Sequence, residues 1–176
     1  LRAALLTMGM REGAQYLIRE YSLPLDEAEY YEVMRDVIAE LYETVELKPG
    51  VTEMLARLKA EGARICLCSN TWADQCRTVL TRLGIADYFE FIVEAQGVLH
   101  KSRPEVFALC MEKLGGTDPA QCAVCEDAIY AASTAHKAGY YVIGIADPTS
   151  AADAPQLQQV CDQFLSGWDE LDWTRA

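Results

Sequence analysis

The apolar positions change their spacing near residue 50, and that change divides the chain. From Arg11 to Tyr21, the residues Ala14, Tyr16, Leu17, Ile18 and Tyr21 recur at the spacing of a helix face. Ser22-Leu23-Pro24-Leu25 breaks the run. Asp26, with Glu29 three residues later, has the form of a capping box. It predicts a second helix through Tyr31, Met34, Val37, Ile38 and Leu41. Lys48-Pro49-Gly50 is a sharp stop and a hinge between this helical pair and the remainder. The opening stretch (Leu1, Ala3, Ala4, Leu5, Leu6) is apolar with no cap before it, and reads as the middle of an element.

After residue 50, helices alternate with short apolar runs. Residues 51–60 predict a helix, with Met54, Leu55 and Leu58 on one side and Gly62 placed to end it. Residues 65–68 form a continuous apolar run, the mark of a strand buried on both faces. A helix over 73–83, a strand over 89–93 and a helix opened by Pro104 and running to Leu114 follow. Residues 122–125 and 140–145 predict two more strands around a helix over 129–138, and Gln163-Phe164-Leu165 a last short one. This order implies a parallel sheet in a doubly wound α/β layer. Ligands in such sheets bind beyond the carboxyl ends of the strands. Attention therefore falls on Ser69-Asn70-Thr71, on Glu126-Asp127 and on Asp147. Trp168, Leu171 and Trp173 are expected to pack the last strand onto the core.

Composition narrows the function classes. The 176 residues are 51% hydrophobic and 24% charged, enough apolar material for one core. A net charge of −12 argues against nucleic acid and against anionic membrane surfaces, which need clustered Lys and Arg. No apolar run reaches the roughly 18 residues that a membrane helix needs. Of the seven cysteines, Cys66 and Cys68 alternate onto one strand face, whereas Cys122 and Cys125 point to opposite faces and cannot grip one metal. They read as small buried hydrophobes in a reducing compartment, the cytoplasm.

Three polar groups offer chemistry. Ser69, Asn70 and Thr71 supply donors at a helix start, which suits an anion and equally suits an ordinary N-cap. Glu126 and Asp127 are adjacent carboxylates that need a compensating cation; as hard oxygen ligands they suit Mg2+, and as a solvated pair they merely cap the next helix. Lys101, in Gly97-Val98-Leu99-His100-Lys101-Ser102-Arg103-Pro104, becomes chemical only if it points back at the carboxylates.

Taken in this order, a hydroxyl residue after one strand, a lysine before a Pro-started helix and Glu-Asp after the next strand resemble three motifs of the haloacid dehalogenase superfamily. The segment Cys125-Glu126-Asp127-Ala128-Ile129-Tyr130-Ala131-Ala132 through Ala138-Gly139 is similar to the acidic motif of its β-phosphoglucomutase-like branch. Lys48-Pro49-Gly50-Val51 and Leu83-Gly84-Ile85-Ala86-Asp87-Tyr88-Phe89 extend the likeness across the chain. The resemblance implies a Rossmann-like parallel sheet over residues 48–176 and a partial helical cap over residues 1–47. It implies that Ser69 bonds a transferring phosphoryl group, that Lys101 neutralises charge on it, and that Glu126 and Asp127 hold Mg2+. Asn70 would touch the phosphate. Arg11, expected in a loop before the first helix, would grip the remote end of a small phosphorylated metabolite.

The likeness has departures. Ser102-Arg103 separates Lys101 from Pro104, and Ala128 stands where the branch usually has Ser. More seriously, the family's nucleophile lies in an Asp-x-Asp on the first, central core strand, and the sequence contains no Asp-x-Asp. The expected reading is a Mg2+-dependent phosphatase working through an aspartyl-phosphate, with the chain truncated before Leu1 and inactive as it stands. The alternatives are a phosphomutase and a non-catalytic phosphate-binding member. A generic flavodoxin-like domain would need the three motifs and the cap to coincide by chance.

Overall fold

The computed structural model describes Leu5 and residues 8–174; the rest of the apolar opening stretch lies outside the described residues. Helices α1 (Met10–Glu20) and α2 (Glu27–Thr44) pack on each other as the early periodicity predicts. The Asp26 carboxylate accepts from the Glu29 amide at 2.9 Å, and the Glu29 carboxylate accepts from the Asp26 amide at 2.8 Å, closing the capping box. Arg11 sits in the first turn of α1, not in a loop before it, because the helix begins at Met10.

The α/β part begins with Gly50, whose φ of +80° opens helix α3 (Val51–Ala60). A side chain at Gly50 would lie 3.2 Å from Trp168 Cβ, so both the turn and the packing call for glycine. Strand β1 (Leu67–Ser69), helix α4 (Ala73–Arg82), strand β2 (Ile92–Glu94) and helix α5 (Glu105–Lys113) follow. Strand β3 (Ala123–Glu126), helix α6 (Ile129–Lys137), strand β4 (Tyr141–Ile145), helix α7 (Ala154–Val160) and strand β5 (Gln163–Leu165) complete the order.

Each of the first four strands starts one to three residues later than the apolar runs predict, because a strand begins where a partner pairs. Ile65 and Phe91 already accept bonds from Glu90 and Leu67 at 2.8 and 3.1 Å, and the ladder proper starts after them. Ser69 and Glu126 consequently close strands rather than follow them.

All pairings are parallel, yet the strands form two sheets, β1–β2 and β3–β4–β5. Among the described residues, no strand pairs with the second edge of β1 or of β3. Val142 and Ile143, neighbours on β4, belong to different apolar clusters, so the clusters cover opposite faces of the sheet. One is built by α5, α6 and α7, the other by α3, α4 and the C-terminal turn. Trp168 and Leu171 are buried in the second, as expected.

The gap beside β3 leaves its mark. Ile143 is buried, but its register partner Cys125 is exposed, so that cysteine is not the buried hydrophobe expected from sequence. Its thiol is nevertheless pushed up to about 12, first by the protein crowded around it and then by Glu126. All seven cysteines are free.

Candidate active site at the strand ends

Ser69 ends β1 and Glu126 ends β3, one in each sheet. Lys101, on the loop ahead of α5, sends its ammonium to Glu126 Oε1 at 2.5 Å. The pair is largely shielded from water, with side-chain exposures of 15% and 6%. Burial opposes the charged ammonium, but the carboxylate beside it prevails and holds the Lys101 pKa above its ordinary value. Lys101 thus stays a cation in a low-dielectric setting, which a solvated loop lysine would not need.

Asn70 Nδ2 donates to the Tyr130 hydroxyl at 3.2 Å, tying the end of β1 to the start of α6 across the gap. Asn70 Oδ1 is buried with no partner among the described residues. Ser69 Oγ accepts from the Thr71 amide at 3.1 Å, the geometry of a local cap. The Thr71 hydroxyl meets the Tyr42 hydroxyl of α2 at 3.0 Å, so the same loop also touches the helical pair. Arg82 fastens that pair by donating to the Tyr42 and Val45 carbonyls at 2.8 and 2.5 Å.

The structure therefore joins Lys101 to Glu126, and Asn70 to the helix that follows Asp127. Arg11 stands apart, ion-paired with Glu27 at 2.8 Å on the wall of a cavity of about 690 Å³ between the helical pair and the core. Asp147 pairs with Lys48 at 2.7 Å and accepts from the Thr149 amide and hydroxyl. The Lys48 ammonium, then the Thr149 donors, depress its carboxyl to about 2. Sequence reading took Lys48 only as part of a turn, since nothing in a linear order pairs positions 48 and 147. Tyr130 and His100 were likewise missed. They stack on each other with ring centroids 5.5 Å apart and planes 10° from parallel.

Magnesium fits these residues incompletely. Among the described residues, no group of three or more His, Cys, Asp or Glu side chains is placed to hold a metal. One oxygen of Glu126 is already engaged by Lys101, which leaves its other oxygen and Asp127.

The parallel pairings, with helices between the strands, define a Rossmann-like α/β fold. The chain belongs to the haloacid dehalogenase-like hydrolase family, whose model matches residues 5–139. It is 34% identical over 103 residues to hexitol phosphatase B of Escherichia coli, covering 56% of this chain and 46% of that one. To β-phosphoglucomutase of Bacillus subtilis it is 33% identical over 101 residues, covering 57% and 43%. The chain spans about half the length of the curated relatives it matches. In fold it resembles CbbY of Rhodobacter sphaeroides, with a TM-score of 0.81 at 22% identity over 97% of this chain and 78% of that one. The β-phosphoglucomutase of Clostridium difficile gives 0.75 at 18%, covering 97% and 76%. No helix among the described residues is long and apolar enough to cross a membrane.

Proposed function

We propose that this chain is the cap and phosphoryl-binding core of a cytoplasmic phosphatase acting on a small phosphorylated metabolite. The helical pair, residues 1–47, serves as a partial cap over the core, residues 48–176. The observation that carries the reading is the shielded Lys101–Glu126 pair. A cation held charged at the strand ends is what a transferring phosphoryl group needs, because its chemistry depends on positioning and charge stabilisation. In this reading Lys101 neutralises the phosphoryl oxygens, while Ser69 and Asn70 donate to them. Arg11 lines the cavity that receives the rest of the substrate. Glu126 and Asp127 are the oxygen donors for the magnesium that the family likeness implies. Their shell is incomplete by itself, and no step of the reading runs through the metal.

The nucleophile is the remaining part. We propose that an aspartate-bearing strand fills the gap between β1 and β3 in the intact protein. Its carboxylate oxygen would bond to phosphorus as the ester oxygen departs and takes a proton, and water would then release inorganic phosphate from the aspartyl-phosphate. The absence of any Asp-x-Asp also favours a second reading, a phosphate-binding member without turnover.

The test is to assay the protein with its upstream coding sequence in place for phosphate release from a panel of phosphomonoesters. Turnover that Lys101→Met abolishes is the expected result. Binding of inorganic phosphate without turnover selects the second reading, and turnover untouched by Lys101→Met sinks the assignment of the site.

A further inference from the structure

The cavity under the helical pair contains a polar group that the proposed chemistry leaves unused. His100 is 5% exposed, on the loop that carries Lys101, and it lines the cavity. Its Nδ1 accepts from the Ser102 amide at 3.2 Å and also meets the Ser102 hydroxyl at 2.8 Å. An acceptor at Nδ1 places the proton of the neutral ring on Nε2. That Nε2–H is buried and has no partner among the described residues. Buried donors are almost always satisfied, so an orphan calls for a group that the structure does not hold.

The ring is fixed, not merely accommodated. It stacks on Tyr130, and Tyr130 accepts from Asn70, next to the serine where the phosphoryl group is placed. Gly9 also lies beside the ring: a Cβ added there would stand 4.0 Å from His100 Cδ2, in ordinary van der Waals contact. Burial, and then Lys101 and Arg103, press the imidazole toward its neutral form, with Glu12 working against them.

The cavity also carries Arg11 and Arg103 against Glu12 and Glu27, two charges of each sign, with Trp72 on its wall. With the charges of the lining balanced, neither an anionic nor a cationic alcohol portion gains a net attraction there. A hydroxylated, uncharged one can accept from the arginines and from His100 and donate to the glutamates.

We infer that His100 is a specificity-determining residue whose Nε2–H donates to an oxygen of an uncharged, polyhydroxylated alcohol portion of the substrate. This rests on the phosphate-site reading above. It makes His100 a reader of the leaving group, distinct from the residues that hold the phosphoryl group.

The chain has only two histidines, His100 and His136, which makes the test direct. The full chain, with 15N-labelled imidazoles, is titrated with inorganic phosphate, with sorbitol 6-phosphate and with 2-phosphoglycolate. Sorbitol 6-phosphate should bind about tenfold more tightly than phosphate alone and shift Nε2 of His100, while His136 stays still. In His100→Phe, which retains a ring to stack on Tyr130, that margin should fall about five- to tenfold with phosphate affinity unchanged. His100→Gln, which keeps a donor at similar reach, should preserve most of it. Equal affinity for phosphate and sorbitol 6-phosphate, or a preference for 2-phosphoglycolate, overturns the inference and leaves the phosphate site standing. Parallel loss of phosphate affinity in His100→Phe overturns it too, since His100 would then be a prop of that site. No binding of any probe removes both readings together.

Discussion

Replacing Lys101 by Met would remove the ammonium from a pair whose carboxylate is almost wholly out of water. Glu126 is 6% exposed and has its Oε1 2.5 Å from Nζ, so the variant leaves a buried charge with no compensation. Breaking one side of a buried pair costs about 3–5 kcal/mol. Lys101 keeps 15% exposure, so some water can reach the vacated place, which argues for the lower end. A loss of about 3 kcal/mol, with a urea slope of about 2 kcal/mol/M, moves the unfolding midpoint down by about 1.5 M. Three tryptophans, of which Trp168 is buried, give a fluorescence readout for urea titration. The double variant Lys101→Met, Glu126→Gln carries neither charge and should regain at least half of the loss. It should still fail to bind inorganic phosphate, since the cation is gone. Stability within about 0.5 kcal/mol of wild type for Lys101→Met would refute the buried-pair reasoning. So would a double variant no more stable than the single one.

Two further outcomes follow from geometry alone. The depressed Asp147 carboxyl, at about 2, contributes stability that is complete above its unfolded value near 4 and disappears as the pH falls toward 2. With Lys48 substantially exposed, screening reduces this to about 1 kcal/mol, so Asp147→Asn should lower the urea midpoint at pH 7 and match wild type near pH 2. In β4, a Cβ at Gly144 would lie 2.7 Å from Cys161 Sγ and 2.9 Å from Phe164 Cδ2. Gly144→Ala should therefore cost about 1–3 kcal/mol by overpacking, read from its thermal midpoint, and an unchanged midpoint would mean that α7 and β5 yield easily.

Apolar spacing was enough for the helices that have an amphipathic face and an explicit end. The capping box at Asp26 and Glu29 formed, and Gly62, Gly84 and Gly139 end their helices with positive φ. Helix α7 was not predicted: its seven residues, APQLQQV, carry one buried side chain, Leu157, too few to establish a period. The strand ends were displaced for a related reason. Periodicity reports which residues avoid water, whereas a strand extends only where a neighbour supplies hydrogen bonds.

The same division holds for the site. Chain order and residue type singled out Ser69, Lys101, Glu126 and Asp127, because short motifs at strand ends are local and survive in one dimension. Only the tertiary structure joined Lys101 to Glu126, Lys48 to Asp147, and Asn70 through Tyr130 to His100. It alone showed the sheet divided beside β3 and Cys125 exposed. Pairing across 25 to 99 positions depends on how elements pack. Sequence by itself determined which groups carry charge and which segments become helices; packing decided which charges meet and which donors are left waiting for a ligand.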